Sequence, residues 1–84
     1  MTYDFIFDAG HGWLKVPRAE LVRLGILEEV TSCSYQRDTW VYLEEDVDAK
    51  TFIKAKKQHG EKFKYRERNC NAWNRVRNYA SFRP

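Results

Sequence analysis

Acid–base chemistry is first suggested by residues 8–12, where a histidine lies between two glycines. His11 can gain or lose a proton near neutral pH, and Asp8, three residues earlier, is placed to orient one of its ring nitrogens. Glycines beside a polar residue are also what any tight turn needs. Because the spacing identifies no serine or cysteine partner, we predict no catalytic residues and expect a protein that is not an enzyme.

Four carboxylates follow one another closely at residues 44–48, namely Glu44, Glu45, Asp46 and Asp48. Carboxylate oxygens bind hard cations, but this cluster lacks the ligand spacing, the central glycine and the distant glutamate of a calcium loop. We therefore predict no metal site. The cluster is interpreted either as a solvated connection in which Asp48 caps a helix, or as a contact surface for a basic partner.

The sign of the charge changes along the chain. Residues 1–49 carry four basic and ten acidic side chains, a net charge of −6, whereas residues 50–84 carry eleven basic and two acidic ones, a net charge of +9. Aromatic residues interrupt the basic segment, a pattern typical of proteins that neutralise phosphates and stack on bases. The candidate phosphate contacts are Lys54, Lys57, Lys64 and Arg66. Alternatively, these lysines form a solvated helix face and the aromatics belong to the core.

The elements that position these residues follow from local patterns. Alternation of Tyr3, Phe5 and Phe7 with smaller or polar residues predicts a strand, and residues 13–16 predict a second one after the glycine turn. A short helix is expected between Pro17 and Gly25. Further strands are predicted at 30–35 and 39–44, with a second helix from Asp48 to Gly60.

These elements predict a single α+β domain over residues 1–84. Tight turns favour antiparallel pairing, so we expect ββαββα order, with an antiparallel sheet of three to four strands and two helices on one face. Residues 61–84 form a basic, aromatic-rich tail of uncertain structure. A chain of 84 residues buries only somewhat more than about 60% of its unfolded surface, so the core is small.

Composition narrows the cellular setting. The longest apolar run is far shorter than a membrane span, and the N-terminus lacks the pattern of a signal peptide, so we expect a cytoplasmic protein without a membrane partner. Cys33 and Cys70 lack the spacing of a zinc site. No cofactor is predicted.

Two strings carry a resemblance: DAGHGWLKVP at residues 8–17 and VYLEEDVD at 41–48, with Ser34, Tyr35 and Phe52 beside them. Here the chain resembles a group of small proteins encoded by bacteriophages and other mobile elements. The resemblance covers roughly residues 8–53 and implies a genomic setting, not a set of site residues. Stoichiometric inhibitors of host defence nucleases, including anti-CRISPR proteins, are common in that setting.

Two functional hypotheses follow. In the first, the protein docks on a host nucleic-acid-handling defence complex and inhibits it, with a cluster of carboxylates that imitates a phosphate backbone and an aromatic anchor, either Trp40 or Trp73. Its contact residues are Glu44, Glu45, Asp46, Asp48 and Trp40. In the alternative, the protein is a nucleic-acid-binding accessory module that uses Lys54, Lys57, Lys64 and Arg66.

Overall fold

The computed structural model describes residues 1–69 and 75–84. Within these residues the chain forms six strands and two α-helices. The strands are β1 (Thr2–Phe7), β2 (Gly12–Pro17), β3 (Tyr35–Arg37), β4 (Trp40–Glu44), β5 (Lys64–Asn69) and β6 (Ala80–Ser81). The helices are α1 (Arg18–Arg23) and α2 (Asp48–Gln58), and short 3₁₀ turns occur at Leu27–Glu29 and Arg75–Asn78.

All six strands join one mixed sheet in the order β5-β1-β2-β4-β3-β6. The β1–β5 pair is parallel, and the other four pairs are antiparallel. The α+β class is therefore right, but the predicted antiparallel sheet of three to four strands in ββαββα order is wrong. Two further strands follow α2, and the segment 61–84, predicted as a tail, supplies both edges of the sheet.

The parallel pairing of β5 with β1 has a visible cause in aromatic contacts. Phe63 stacks on Tyr3 with ring centroids 5.8 Å apart, and Tyr65 meets Phe5 edge to face, also at 5.8 Å. These rings lie far apart in sequence and fix the register in which Tyr3 pairs with Tyr65. A parallel pair needs a long connection between its strands, and the three strands and two α-helices between β1 and β5 provide it.

The helix ends follow the local sequence signals. After α1, Gly25 adopts φ +72°, and the N–H groups of Gly25 and Ile26 donate to the carbonyls of Val22 and Leu21, both at 3.0 Å. After α2, Gly60 repeats this arrangement at φ +73°. A left-handed residue of this kind is most easily glycine, and the motif turns the chain sharply back toward its helix.

The main core lies between the sheet and both helices. Leu14, Val16, Val41 and Leu43 of the two central strands are fully buried beneath Leu21 of α1 and Phe52 of α2. The opposite side of the sheet has a smaller cluster in which Trp13, Tyr42 and Val76 are buried, with Ile6, Tyr35, Trp40 and Tyr79 packed around them. The central strands are therefore covered on both sides.

The hairpin between β3 and β4 differs from the predicted strands at 30–35 and 39–44. Its turn is the pair Asp38–Thr39, with Asp38 at φ 56°, and β3 begins only at Tyr35. Residues before Tyr35 leave the sheet because their polar groups bind a buried carboxylate of α2, described below. In the described part of the chain, neither α-helix has the length and apolar character needed to cross a bilayer.

Candidate nucleic-acid interface

Strand register decides which side chains share the side of the sheet opposite the helices. Tyr3 faces the helices, so its neighbours Thr2 and Asp4 face away from them, as does Lys15, which is paired with Asp4. In β5, the residues paired with Thr2, Asp4 and Ile6 are Lys64, Arg66 and Arg68. We call the side chains of Asp4, Lys15, Trp40, Lys64, Arg66 and Arg68 the basic sheet face.

Three cations stand in a row on the edge strand. Lys64, Arg66 and Arg68 are exposed and alternate along β5, so successive charges are separated by about 6.6 Å along the strand. Asp4 accepts from Arg66 Nε at 2.7 Å and lies 3.4 Å from Arg68 Nε. The hydrogen bond from Arg66 holds the pKa of Asp4 below its usual range, so this carboxylate stays ionised. Four cations and one anion leave the face with a net charge of +3.

An aromatic ring borders the row of cations. The ammonium of Lys15 lies 4.3 Å above the ring of Trp40, a cation–π contact, and Trp40 is only half-buried. A cleft of about 170 Å³ separates this pair from Arg66, and its lining is completed by Met1, Thr2, Tyr3 and Asp4. Positive charge and an accessible aromatic surface therefore meet at one end of the sheet.

The residues of the predicted nucleic-acid site separate into two groups. Lys64 and Arg66 belong to the basic sheet face, whereas Lys54 and Lys57 are exposed on α2, which covers the other side of the sheet. Sequence reasoning missed Arg68 and Lys15. Arg68 continues the alternation of Lys64 and Arg66, so the sequence pattern could have identified it. Lys15 is a lone cation in an apolar strand, and no local pattern marks it.

The acidic cluster is largely committed to the fold. Asp48 is 1% exposed and accepts hydrogen bonds from the backbone N–H and the hydroxyl of Thr31, at 3.1 and 2.8 Å, and from the hydroxyl of Ser34. Ser34 in turn accepts from the backbone N–H of Glu44 at 2.9 Å, and its carbonyl accepts from the N–H of Phe82 at 2.8 Å. Asp48 therefore joins α2 to the segment before β3, instead of capping its own helix.

The other acidic residues differ in exposure. The carboxylate of Glu44 accepts from the backbone N–H groups of Asp46 and Val47 at 3.0 and 3.1 Å, which closes the turn before α2. Glu45 is half-buried against Gly12, and the side chain of Asp46 is exposed. Across residues 1–69 and 75–84, no three His, Cys, Asp or Glu side chains form a group that could hold a metal ion. Trp73 and Cys70 lie outside the described residues.

The loop around His11 is held by its own carboxylate. Asp8 Oδ1 accepts from the backbone N–H groups of Gly10 and His11 at 3.0 and 2.9 Å, and the N–H of Asp8 donates to the carbonyl of His11 at 2.9 Å. The imidazole stacks on Trp13 with ring centroids 6.0 Å apart. Asp8 therefore stabilises the turn that carries His11.

A further group of titratable side chains lies beneath the helices. The buried ammonium of Lys56 donates to Tyr3 Oη at 3.0 Å and to Glu61 at 3.1 Å, and the hydroxyl of Tyr3 donates to Glu20 at 2.8 Å. Arg23 bridges Glu20 and Glu61, at 2.7 and 2.6 Å. The two cations balance the two carboxylates, so the network joins β1, α1 and α2 without an unpaired charge.

The pKa values in this network move away from neutrality. Burial raises the pKa of Tyr3, and the hydrogen bond from Arg23 lowers that of Glu20. The bonds from Arg23 and Lys56 lower the pKa of Glu61 to about 2. Burial opposes the charge of Lys56, but hydrogen bonds to Tyr3 and Glu61 outweigh this effect and raise its pKa. General acid–base catalysis is most efficient with a pKa near the working pH, so the network suits a structural role.

A groove of about 550 Å³ lies between the β3–β4 turn and the C-terminal segment. The guanidinium of Arg37 lies 5.1 Å above the ring of Tyr79, and a hydrogen bond to Tyr79 raises the pKa of Arg37. Since Arg37 pairs with Trp40, its side chain points to the same side of the sheet as the basic sheet face. The groove is lined by Gln36, Arg37, Asp38, Asn78, Tyr79 and Ala80.

Comparison of the chain with protein-family models, with curated proteins and with solved structures finds no match.

Proposed function

We propose that the protein is a non-enzymatic binding protein that contacts the phosphates of a nucleic acid through the basic sheet face. The observation that carries the proposal is the row of Lys64, Arg66 and Arg68 on one side of an edge strand, reinforced by Lys15 from β2. Clustered cations raise the local concentration of a polyanion and speed its association. In this proposal the protein acts in the cytoplasm of a host cell, as its resemblance to phage proteins implies.

The position of the row on an edge strand supports this function. The side chains of Arg66 and Arg68 are 62% and 58% exposed, so a phosphate can approach without displacing protein. Arginine offers a planar fork of donors that matches phosphate oxygens, and each guanidinium has donors beyond the Nε that faces Asp4. Asp4 fixes the direction of both guanidinium groups and so limits the entropy that binding has to overcome.

Docking on a host defence complex through Glu44, Glu45, Asp46 and Asp48 has less support. Asp48 is buried, and Glu44 is engaged by the backbone of its own turn. In this cluster only Asp46 is exposed, while Glu44 and Glu45 are half-buried, which leaves little charge with which to imitate a phosphate backbone.

Salt dependence gives the direct test. If the three β5 cations neutralise three phosphates of a single strand, the slope of log K against log salt is about −2, since each contact contributes about −0.7. Affinity for a labelled oligonucleotide should then fall about 20-fold between about 50 and 200 mM salt. Fluorescence anisotropy measures this dependence.

A pair of double variants locates the site. Lys64→Gln with Arg68→Gln removes two of the three contacts and should reduce the slope to about −0.7. Lys54→Gln with Lys57→Gln removes the same charge from α2, on the other side of the sheet, and should leave the slope near about −2. An equal decrease of the salt slope in both double variants would indicate a general charge effect and not a site on β5. Absence of binding to DNA or RNA at micromolar protein would exclude the function.

A further inference from the structure

The cleft beside Trp40 has the size and the chemistry for one base of a nucleic acid. Its volume is about 170 Å³, equal to about six waters at about 30 Å³ each, and below the roughly 300 Å³ at which pockets for drug-sized ligands begin. Trp40 forms one wall, Arg66 reaches the opposite side, and Asp4 and Lys15 lie between them. A single flat ring fits this space better than a larger ligand.

We infer that the protein binds single-stranded nucleic acid and places one cytosine in this cleft, stacked on Trp40, with its amino group toward Asp4 and its ring nitrogen toward Lys15. This inference rests on the proposed function, since it assumes that phosphates lie along β5.

The shape of the face favours a single strand. Both α-helices cover the other side of the sheet, so in the described part of the chain no α-helix stands on this side to enter a major groove. A base can reach Trp40 only after it has left a stacked duplex, whereas unpaired bases stack on exposed aromatic rings at little cost. Because Arg66 belongs both to the phosphate row and to the cleft, a phosphate held there leaves its base over the cleft.

The arrangement of donor and acceptor favours cytosine over thymine. Asp4 and Lys15 are directly opposite each other in the β1–β2 pair, which places an acceptor-only carboxylate beside a donor-only ammonium. Cytosine presents an amino donor next to a ring-nitrogen acceptor, the complement of this pair. Thymine sets a carbonyl oxygen at the position of the amino group, against the carboxylate. When cytosine binds, the ammonium of Lys15 moves from the ring of Trp40 to the edge of the base, and the base stacks on the ring in its place.

The test compares oligo-dC, oligo-dT and a mixed-sequence duplex of equal length by anisotropy at one salt concentration. One charge-assisted hydrogen bond at a solvated site gives about a fivefold preference for oligo-dC over oligo-dT. The duplex should bind more weakly than either single strand. The two pyrimidines have the same ring size, so their comparison tests the hydrogen-bonding edge, where cytosine has an amino donor beside a ring-nitrogen acceptor and thymine has a carbonyl acceptor beside an N–H donor; thymine also carries a methyl group.

Two variants assign the preference to Asp4. Asp4→Asn removes a negative charge and presents both a donor and an acceptor, so both oligonucleotides should bind more tightly and the preference should disappear. Glu67→Gln removes the same charge from β5, but Glu67 pairs with Phe5 and so points to the helix side of the sheet, and the preference should persist.

The possible outcomes distinguish a failure of the cytosine assignment from a failure of the proposed phosphate binding. Equal binding of oligo-dC and oligo-dT, with the salt dependence intact, would overturn the base assignment and leave phosphate binding in place. Duplex binding as tight as that of oligo-dC would overturn the single-strand assignment. Absence of binding to all three would overturn the proposed function as well.

Discussion

Replacing Asp48 by alanine should destabilise the protein strongly, although this residue lies in a cluster that looks like a contact surface. The carboxylate is 1% exposed and accepts from the backbone N–H of Thr31 and from the hydroxyls of Thr31 and Ser34. In Asp48→Ala these donors lose their acceptor inside the protein. Ser34 also fixes Glu44 and the C-terminal segment, so the loss reaches beyond one loop.

The magnitude follows from the three donors. An unsatisfied buried donor costs about 1–3 kcal/mol, and the two hydroxyls can recover part of their loss by rotation, so we expect a total of about 3–5 kcal/mol. A chain of 84 residues has a free energy of unfolding of about 4–13 kcal/mol. In a domain of this size each kcal/mol lowers Tm by about 4–8 °C, so Tm should fall by at least about 12 °C.

Thermal and urea unfolding, followed by circular dichroism and tryptophan fluorescence, measure the effect. Asp46→Ala is the matched control, because its side chain is exposed and surface substitutions usually change stability by less than about 0.5 kcal/mol. If Asp48→Ala unfolds within a few degrees of Asp46→Ala, the carboxylate is not structural and the argument against an acidic docking surface fails.

Two further predictions concern packing and pH. Gly12→Ala should cost about 1–3 kcal/mol in urea unfolding, because the added Cβ would lie 2.6 Å from ring atoms of Phe7; a neutral result would show that this ring moves freely. The pKa of Glu61 is about 2 in the folded protein, against about 4.3 when unfolded, so its stabilising contribution is present above about pH 4.3 and is lost as the pH falls toward 2. Glu61→Gln should therefore have a lower Tm at neutral pH and lose less Tm between about pH 4.3 and 2, and parallel acid curves for both proteins would contradict this pairing with Arg23 and Lys56.

Local sequence was sufficient for features that depend on neighbouring residues. The alternation of Tyr3, Phe5 and Phe7 identifies a strand and its buried face. Gly25 and Gly60 end their helices as predicted, because a left-handed residue after a helix depends on the backbone of one or two turns.

Local sequence pattern could not predict which strands pair with each other in the sheet. Lys62, Lys64 and Arg66 alternate with Phe63 and Tyr65, a pattern typical of a strand, but the pattern contains no information on which edge of the sheet that strand joins. The parallel pairing with β1 depends on rings about sixty residues apart in sequence. Both edges of the sheet were therefore missed, and with them the predicted order of elements.

The candidate site shows the same division. Sequence supplied Lys64 and Arg66 as candidate phosphate contacts, since both stand out as cations among aromatic residues. Only the sheet register separated them from Lys54 and Lys57 and brought Lys15, Trp40 and Asp4 beside them. Composition records how many charges a chain has, but the side of the sheet on which each charge lies depends on strand pairing between distant residues.

The buried charges show why local sequence could not predict which charged residues are exposed. Lys56 lies among lysines that are indistinguishable from it in sequence, and Asp48 lies among similar acids. Each is buried because distant elements bring it partners: Tyr3 and Glu61 for Lys56, and Thr31 and Ser34 for Asp48. A charge leaves water only where partners compensate its desolvation, and the tertiary structure alone decides where those partners meet.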